Sequence, residues 1–180
     1  MEPRRGSDLP SEQVGPYRVE EPLGRGGMGA VWRAWDERLK RQVAAKRVRA
    51  DATFSHTRAR LRREAQAVAR LNHPSIVQIY DIVEGEETDW IIMELVSGQT
   101  LQQRIQENGP LGPAMAARLG CEIAEGLAEA HESGILHRDL KAANVMVTPA
   151  GRACRPSRHR GSLSTRAPIF SLWARSSMRS

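Results

Sequence analysis

The 180-residue chain reads as an α+β protein: a five-stranded antiparallel sheet with one helix, followed by a helical part that is only begun. Three observations predict this class. From Tyr17 to Glu94, short runs of β-type residues alternate with turn residues, the pattern of strands joined by tight connections. Within that region one stretch, 57–71, carries its apolar residues at helical spacing instead. After residue 98 the strand pattern stops and the apolar spacing becomes helical.

Each element follows from its residues. The opening stretch 1–16 is charged, contains Pro and Gly, and has no apolar run, so it is expected as a disordered leader rather than a secretion signal. Tyr17–Leu23 and Ala30–Trp35 are strands joined by a glycine-rich connection, and Gln42–Val48 is a third. In 57–71, Leu61, Ala65, Val68 and Leu71 share one helical face. Asn72-His73-Pro74 ends that helix, because proline disfavours helical backbone in the residue before it. Ile76–Val83 and Thr88–Glu94 complete the sheet across the polar turn 84–87. Leu101–Glu107 is then a short helix closed by Asn108-Gly109-Pro110. Ala114–His131 is a long one, with Met115, Leu119, Ile123 and Leu127 spaced by four and Ser133-Gly134 as its stop.

The formal charge of +6 and a pI near 10.1 invite a nucleic-acid or membrane reading. The charge is not evenly spread, however. Residues 152–180 hold seven Arg and no Lys, Asp or Glu, which leaves 20 basic against 21 acidic residues in 1–151. The body is neutral, and nothing in it points to a specific nucleic acid. Cys121 and Cys154 are the only cysteines and neither lies in a metal-binding spacing, which argues against a disulfide framework or structural zinc. The best apolar run, Trp90–Val96, is short and interrupted by Glu94, far below a membrane span. A cytoplasmic location is expected.

Four clusters carry chemistry. Gly24-Arg25-Gly26-Gly27-Met28-Gly29-Ala30-Val31 fits G-x-G-x-x-G-x-V, in which glycines let the backbone approach phosphate oxygens closely. Two readings stand at this level, a phosphate cradle and a plain tight turn. Its place between two strands, rather than before a helix, separates it from a dinucleotide fingerprint. Val43-Ala44-Ala45-Lys46 puts a lysine on the third strand, where it could meet phosphates if a carboxylate held it. Glu64, mid-helix, is the candidate carboxylate, against the reading of a solvated lysine and a surface glutamate. Met93-Glu94-Leu95-Val96 runs from a buried strand into a turn and by residue type says only that. The fourth cluster is His137-Arg138-Asp139-Leu140-Lys141-Ala142-Ala143-Asn144, an H-R-D-L-x-x-x-N octet in the loop after the long helix. His73 and His131 are expected to be structural, and His56 and His159 exposed.

In this order and at these spacings the clusters resemble the Hanks-type serine/threonine protein kinases, the bacterial ones especially, over 17–151. The resemblance implies a protein-kinase-like fold, with an N-lobe over 17–97 and a partial C-lobe over 98–151. It implies ATP and Mg2+ as cofactors and protein substrates as partners. The ATP-binding set would be Leu23, Gly24, Arg25, Gly26, Gly27, Met28, Gly29, Ala30, Val31, Lys46, Glu64, Met93, Glu94 and Val96. Asp139 would be the catalytic base, Lys141 would neutralise charge on the transferred group, and Asn144 would ligate magnesium. Lys141 points to serine/threonine rather than tyrosine substrates. Oligomeric state is left unspecified.

The resemblance also implies a D-F-G within a few residues of Gly151, and none occurs. Arg152-Ala153-Cys154-Arg155-Pro156-Ser157-Arg158-His159-Arg160 stands in its place. Loss of acidic residues where the similarity stops fits a shifted reading frame better than a basic binding arm or a genuine alternative terminus. The chain as written is therefore expected to lack efficient phosphotransfer. The stripe from Met115 to Leu127 is expected to lie partly uncovered.

Overall fold

The computed structural model describes residues 13–26, 29–49, 63, 65–85, 88–148 and 165–166. The chain divides into two compact units, Met1–Phe54 with Tyr80–Leu95, and Ser55–Ile79 with Val96–Ser180. The division at Leu95/Val96 lies two residues from the boundary expected at 97. Residues 55–79, expected with the sheet, belong to the other unit.

The first unit is built on a six-stranded sheet rather than the expected five. Its strands are β1 (Gln13–Val14), β2 (Tyr17–Gly26), β3 (Gly29–Asp36), β4 (Arg41–Arg49), β5 (Ile79–Val83) and β6 (Thr88–Glu94), in the order β1-β2-β3-β4-β6-β5. The added strand lies within the stretch expected as a leader. Gln13 and Val14 pair with Arg18 and Tyr17 across a turn in which Gly15 has φ +57°, a conformation that costs a residue without Cβ little. The β2–β3 ladder shifts register on both sides of Pro22; proline has no N–H to donate, and so sits at an irregularity.

The core of this unit is one face of the sheet. Trp32 and Ala34 on β3, Val43 and Ala45 on β4, and Trp90 and Ile92 on β6 are all buried two residues apart, as the strand period requires. Register matches sizes across the rows: Trp32 lies opposite Ala45, and Ala45 opposite Ile92. Burying Val43 or Ile92 stabilises the fold by roughly 1.5–3 kcal/mol each. Ala44, Lys46, Ile91 and Met93, on the reverse face of β4 and β6, are buried too. The sheet curls until its two ends meet. The Tyr17 hydroxyl on β2 donates to Asp81 Oδ2 on β5 at 3.0 Å, and Val83 packs over Gly15. Burial, with the Asp81 carboxylate, pushes Tyr17 up to a pKa of about 12. Arg41 stacks 3.7 Å over the Tyr80 ring and pairs with buried Asp36. Desolvation opposes ionisation of Asp36, but the N–H groups of Leu39 and Arg38 and the Arg41 guanidinium outweigh it and hold the carboxyl below its ordinary value.

The second unit is mainly helical. Residues 65–69 are helical, within the predicted 57–71, the rest of which lies outside the described residues except Arg63 and the turn 70–71. Helices α1 (Leu101–Asn108) and α2 (Pro113–Glu132) match their expected positions within two residues. A small sheet of β7 (Gln99–Thr100), β8 (Met146–Val147) and β9 (Thr165–Arg166) has the order β7-β8-β9. Of the basic segment 152–180, only β9 is among the described residues.

The buried positions of α2 differ from the apolar stripe, which lies partly uncovered as expected. They are Leu119, Gly126 and Ala130, whereas Met115, Ile123 and Leu127 are only half-buried. Steps of four residues advance 400° and drift about 40° round a helix of 3.6 residues per turn, so a stripe built on fours cannot stay on one face. Steps of seven and four, from 119 to 126 to 130, hold it better. Gly126 is where 73–76 approaches: a Cβ there would come within 3.1 Å of Ser75 Cβ. That contact joins 73–76 to α2 within the second unit.

Candidate active site

The first unit positions its share of the predicted site by strand register. Gly24 lies opposite Val31, Val31 opposite Lys46, and Lys46 opposite Ile91, a row running from the glycine hairpin across three strands. Two residues along, Ala44 faces Met93, and next to it Val43 faces Glu94. Leu23, Gly24, Lys46, Met93 and Glu94 are thereby brought onto neighbouring rows of one sheet. Arg25, Gly26, Gly29 and Ala30 close the hairpin with the pairs Arg25↔Ala30 and Gly26↔Gly29. Gly27 and Met28 at its tip, and Glu64, lie outside the described residues. Val96 follows β6 in the second unit, half-buried.

This surface suits an anion. Among the described residues nothing lies within 4 Å of where a Cβ on Gly24 would project, so backbone there is open to a bulky group. Lys46 is buried, and loss of hydration pushes its ammonium down to a pKa of about 8. An anion brought beside it offsets that penalty, because opposite charge restores the protonated form.

The second unit holds the octet, positioned by its own hydrogen bonds. His137 is 4% exposed and Val145 2%, and the loop between these anchors turns outward. Asn144 Nδ2 donates to the main-chain carbonyl of Asp139 at 2.8 Å and approaches its Oδ2 at 3.4 Å. Lys141 Nζ pairs with the same Oδ2 at 2.8 Å, the Asp139 side chain being 12% exposed and that of Lys141 50%. Asp139, Lys141 and Asn144 are therefore brought together within the loop. A 3-10 turn at Ala142–Asn144, closed by Asn144 N–H on the Lys141 carbonyl at 2.8 Å, returns Asn144 toward Asp139. The exit is fixed by Leu101 N–H donating to the Val145 carbonyl at 2.7 Å and by β8 pairing with β7.

Among the described residues no group of three or more His, Cys, Asp or Glu could hold a metal ion. With Nδ2 committed to Asp139, the Asn144 side chain offers Oδ1 to a cation, while the Asp139 carboxylate is engaged by Lys141 and Asn144. A hard cation takes about six oxygens, so Asn144 would supply one ligand of a magnesium shell and not the rest.

Sequence reasoning missed three contributors: the backbone of Arg138, which has φ +50°, the Leu101 N–H, and β7. None carries a side-chain signal. His73, expected as structural, is so: its Nδ1 accepts from Ser75 N–H at 3.1 Å.

The chain is similar to known proteins over most of its length. Residues 17–154 match the protein kinase domain family. A probable serine/threonine-protein kinase of Streptomyces coelicolor is 43% identical over 148 residues, 79% of this chain and 22% of that protein. The serine/threonine-protein kinase PrkC of Bacillus subtilis is 41% identical over 138 residues, 76% of this chain and 21% of PrkC. The chain thus spans about a fifth of the length of these relatives. Among solved structures, a point mutant of the Mycobacterium tuberculosis PknI kinase domain superposes with a TM-score of 0.72 at 27% identity, covering 90% of this chain and 62% of that one. Rad53 1-466 in complex with AMP-PNP gives 0.67 at 26% identity, covering 74% and 35%. With its curled antiparallel sheet and its H-R-D-L-x-x-x-N loop, the chain belongs to the protein kinase family.

Proposed function

We propose that the chain carries the ATP-binding sheet and catalytic loop of a serine/threonine protein kinase, and that as written it binds nucleotide without efficient transfer. The observation that carries the reading is the Asp139 carboxylate, held by Lys141 at 2.8 Å and by Asn144 in a loop that otherwise faces outward. A carboxylate fixed in this way can accept the proton of a substrate hydroxyl and orient that hydroxyl. Lys141 holds a positive charge beside it, and Lys46 holds another on the sheet. The hairpin at Gly24 admits phosphates, and the strand end at Met93–Glu94 borders an adenine. Magnesium-bound ATP supplies the transferable phosphoryl group and screens the charge on its oxygens.

The non-catalytic half of the proposal rests on the sequence after Gly151, where no D-F-G aspartate is available as a further magnesium ligand. Protein substrates with Ser or Thr hydroxyls and a cytoplasmic setting follow from the family. Among the described residues no helix is long and apolar enough to cross a membrane.

Thermal unfolding with and without Mg-ATP, together with labelled phosphate transfer to a Ser-containing protein, tests both halves. The expected result is a midpoint raised by Mg-ATP in the parent but not in Lys46→Met, with transfer at background in parent and Asp139→Asn alike. Transfer that is robust and abolished by Asp139→Asn overturns the non-catalytic half. A midpoint indifferent to nucleotide overturns the binding half.

A further inference from the structure

The short strand that follows the octet has two edges, and the second is filled from a distant part of the chain. β8, Met146–Val147, begins just past Asn144. On one side it pairs with β7, Met146 opposite Thr100 and Val147 opposite Gln99. On the other it pairs antiparallel with β9, Met146 opposite Arg166 and Val147 opposite Thr165. β9 also lies against α2. The match to the protein kinase domain family ends at residue 154, so β9 is supplied from beyond the matched residues.

The direction of the main-chain groups shows what β9 provides. In an antiparallel ladder successive residues turn their N–H and C=O groups to opposite sides, so each residue bonds one neighbouring strand. Two contacts fix the phase in β8. The Val145 carbonyl accepts the Leu101 N–H at 2.7 Å, on the β7 side. A Cβ on Gly98 would collide with the Val147 carbonyl, which puts that group on the β7 side as well. Met146, between them, therefore turns its N–H and C=O toward β9. Met146 and Arg166 form the hydrogen-bonded pair, each N–H donating to the other's carbonyl. Thr165 stands opposite Val147 in a non-hydrogen-bonded pair, its own N–H turned out of the ladder. Met146 is half-buried between the buried Val145 and Val147, where main-chain groups left without a partner are costly.

We propose that the outer edge of β8 is a strand-accepting site for an extended peptide segment, and that its occupant is this chain's own Thr165–Arg166. Recognition is by main chain: the two hydrogen bonds of Met146 select extended backbone rather than a particular side chain. The basic stretch is thereby joined to the exit of the loop that carries Asp139 and Asn144. Neither nucleotide nor transfer enters, so the functional reading above can fail without this one, and the converse also holds.

The test uses the full chain with Arg166→Pro, Arg166→Ala and Thr165→Pro. NMR reads amide exchange, with Met146 reporting the β9 side and Val147 the β7 side, and sedimentation reads the oligomeric state. Proline at 166 removes the N–H that bonds Met146, whereas at 165 the N–H it removes faces away from β8. Arg166→Pro is expected to raise exchange at Met146 at least about tenfold while Val147 stays within about threefold. Arg166→Ala and Thr165→Pro are expected to keep both amides within about threefold of the parent. In the parent, a cross-peak between the Hα atoms of Val147 and Thr165 is expected, because Cα atoms approach most closely in a non-hydrogen-bonded pair. Its absence overturns the proposal whether or not the variants fold, and so does Met146 exchange unaltered by Arg166→Pro. Protection lost as fully in Arg166→Ala as in Arg166→Pro overturns it too, by assigning the hold to the guanidinium. Met146 protection that falls on dilution, with a dimer in sedimentation, assigns the strand to a second copy and overturns the occupant named here.

Discussion

Lys46 is placed by a six-stranded sheet, and Asp139 by a loop of eight residues. The lysine owes its position to register: Val31 on one side, Ile91 on the other, with Trp32 and Trp90 of the same two strands buried in the core face. That placement belongs to the backbone ladder, and the unit must fold as a whole for Lys46 to be in place. The aspartate owes its position to a handful of short hydrogen bonds within 137–145, each removable with little effect on the core. The first arrangement resists point changes in its surface and fails all at once. The second fails piecemeal. A sheet suits a buried cation, which needs a dry and rigid wall, while a loop suits a carboxylate that must meet a hydroxyl from solvent.

The largest expected effect breaks the sheet. Trp32→Ala should cost about 3–5 kcal/mol, a large part of the roughly 5–15 kcal/mol typical of a whole small domain. Urea unfolding of the full chain should show it. Among the described residues Trp32 Nε1 has no hydrogen-bond partner, so the loss is one of packing, and Trp32→Phe should recover most of it. A cost below about 1 kcal/mol for the alanine variant would mean that the sheet is not cooperative, and the comparison would fail.

The next effect is electrostatic and has opposite signs at two residues of the same sheet. Lys46 titrates near 8 in the fold against 10.5 ordinarily, so below pH 8 its burial penalty, roughly 3 kcal/mol by linkage, is fully felt. Between about 8 and 10.5 the folded state binds fewer protons than the unfolded one, and stability rises with pH. Tyr17, pushed up to about 12 by burial and then by Asp81, behaves in the opposite way: its contribution is complete below pH 10 and lost between 10 and 12. Lys46→Met should therefore be the more stable protein at pH 7 and should lack the alkaline rise, while Tyr17→Phe should lack the fall that follows. A parent whose stability is flat from pH 7 to 10 would show that Lys46 is not desolvated.

In the loop the expected effect is local. Asn144→Ala removes the donor on the Asp139 carbonyl and should cost about 1–3 kcal/mol where that carbonyl stays buried, less where water reaches it. Amide exchange should rise across 139–145 while the urea midpoint of the sheet stays within error. A rise that spreads equally to β3 and β4 would erase the distinction between the two regions.

How much of this was legible in the sequence follows the same division. β2, β3, β4 and β6 could be read because alternation and turn residues are local signals, and the glycine hairpin and the octet because their spacing is itself the motif. β1 was hidden, since two residues after a charged stretch show no period. The Tyr17–Asp81 bond joins residues 64 apart and depends on sheet curl, which no local pattern records. In α2 an apolar stripe stepped in fours drifts round the helix, and the buried face is marked instead by Gly126, which carries no apolar signal. Arg138 could not have been foreseen, because arginine carries no preference for the conformation it adopts there.

The smallest expected effect lies where the loop is tied to its neighbours, at Thr100. This residue ends β7, opposite Met146 on β8, and also caps α1. Its Oγ1 accepts the Gln103 N–H at 3.1 Å, and its own N–H donates to Gln103 Oε1 at 2.9 Å, a reciprocal box that satisfies two donors at the helix start. The next N–H, that of Leu101, holds the Val145 carbonyl just past Asn144. Thr100→Ala should cost about 1 kcal/mol, as cap losses usually do, and Thr100→Ser should restore most of it because the hydroxyl alone accepts the bond. The site-specific reading is exchange at Leu101. If the cap merely stabilises α1, that amide changes no more than its helical neighbours. If the cap also fixes the exit of the catalytic loop, the Leu101 amide opens first in the alanine variant and recovers in the serine variant. The β7–α1 junction would then belong to the support of Asp139, even though it shares no residue with the octet.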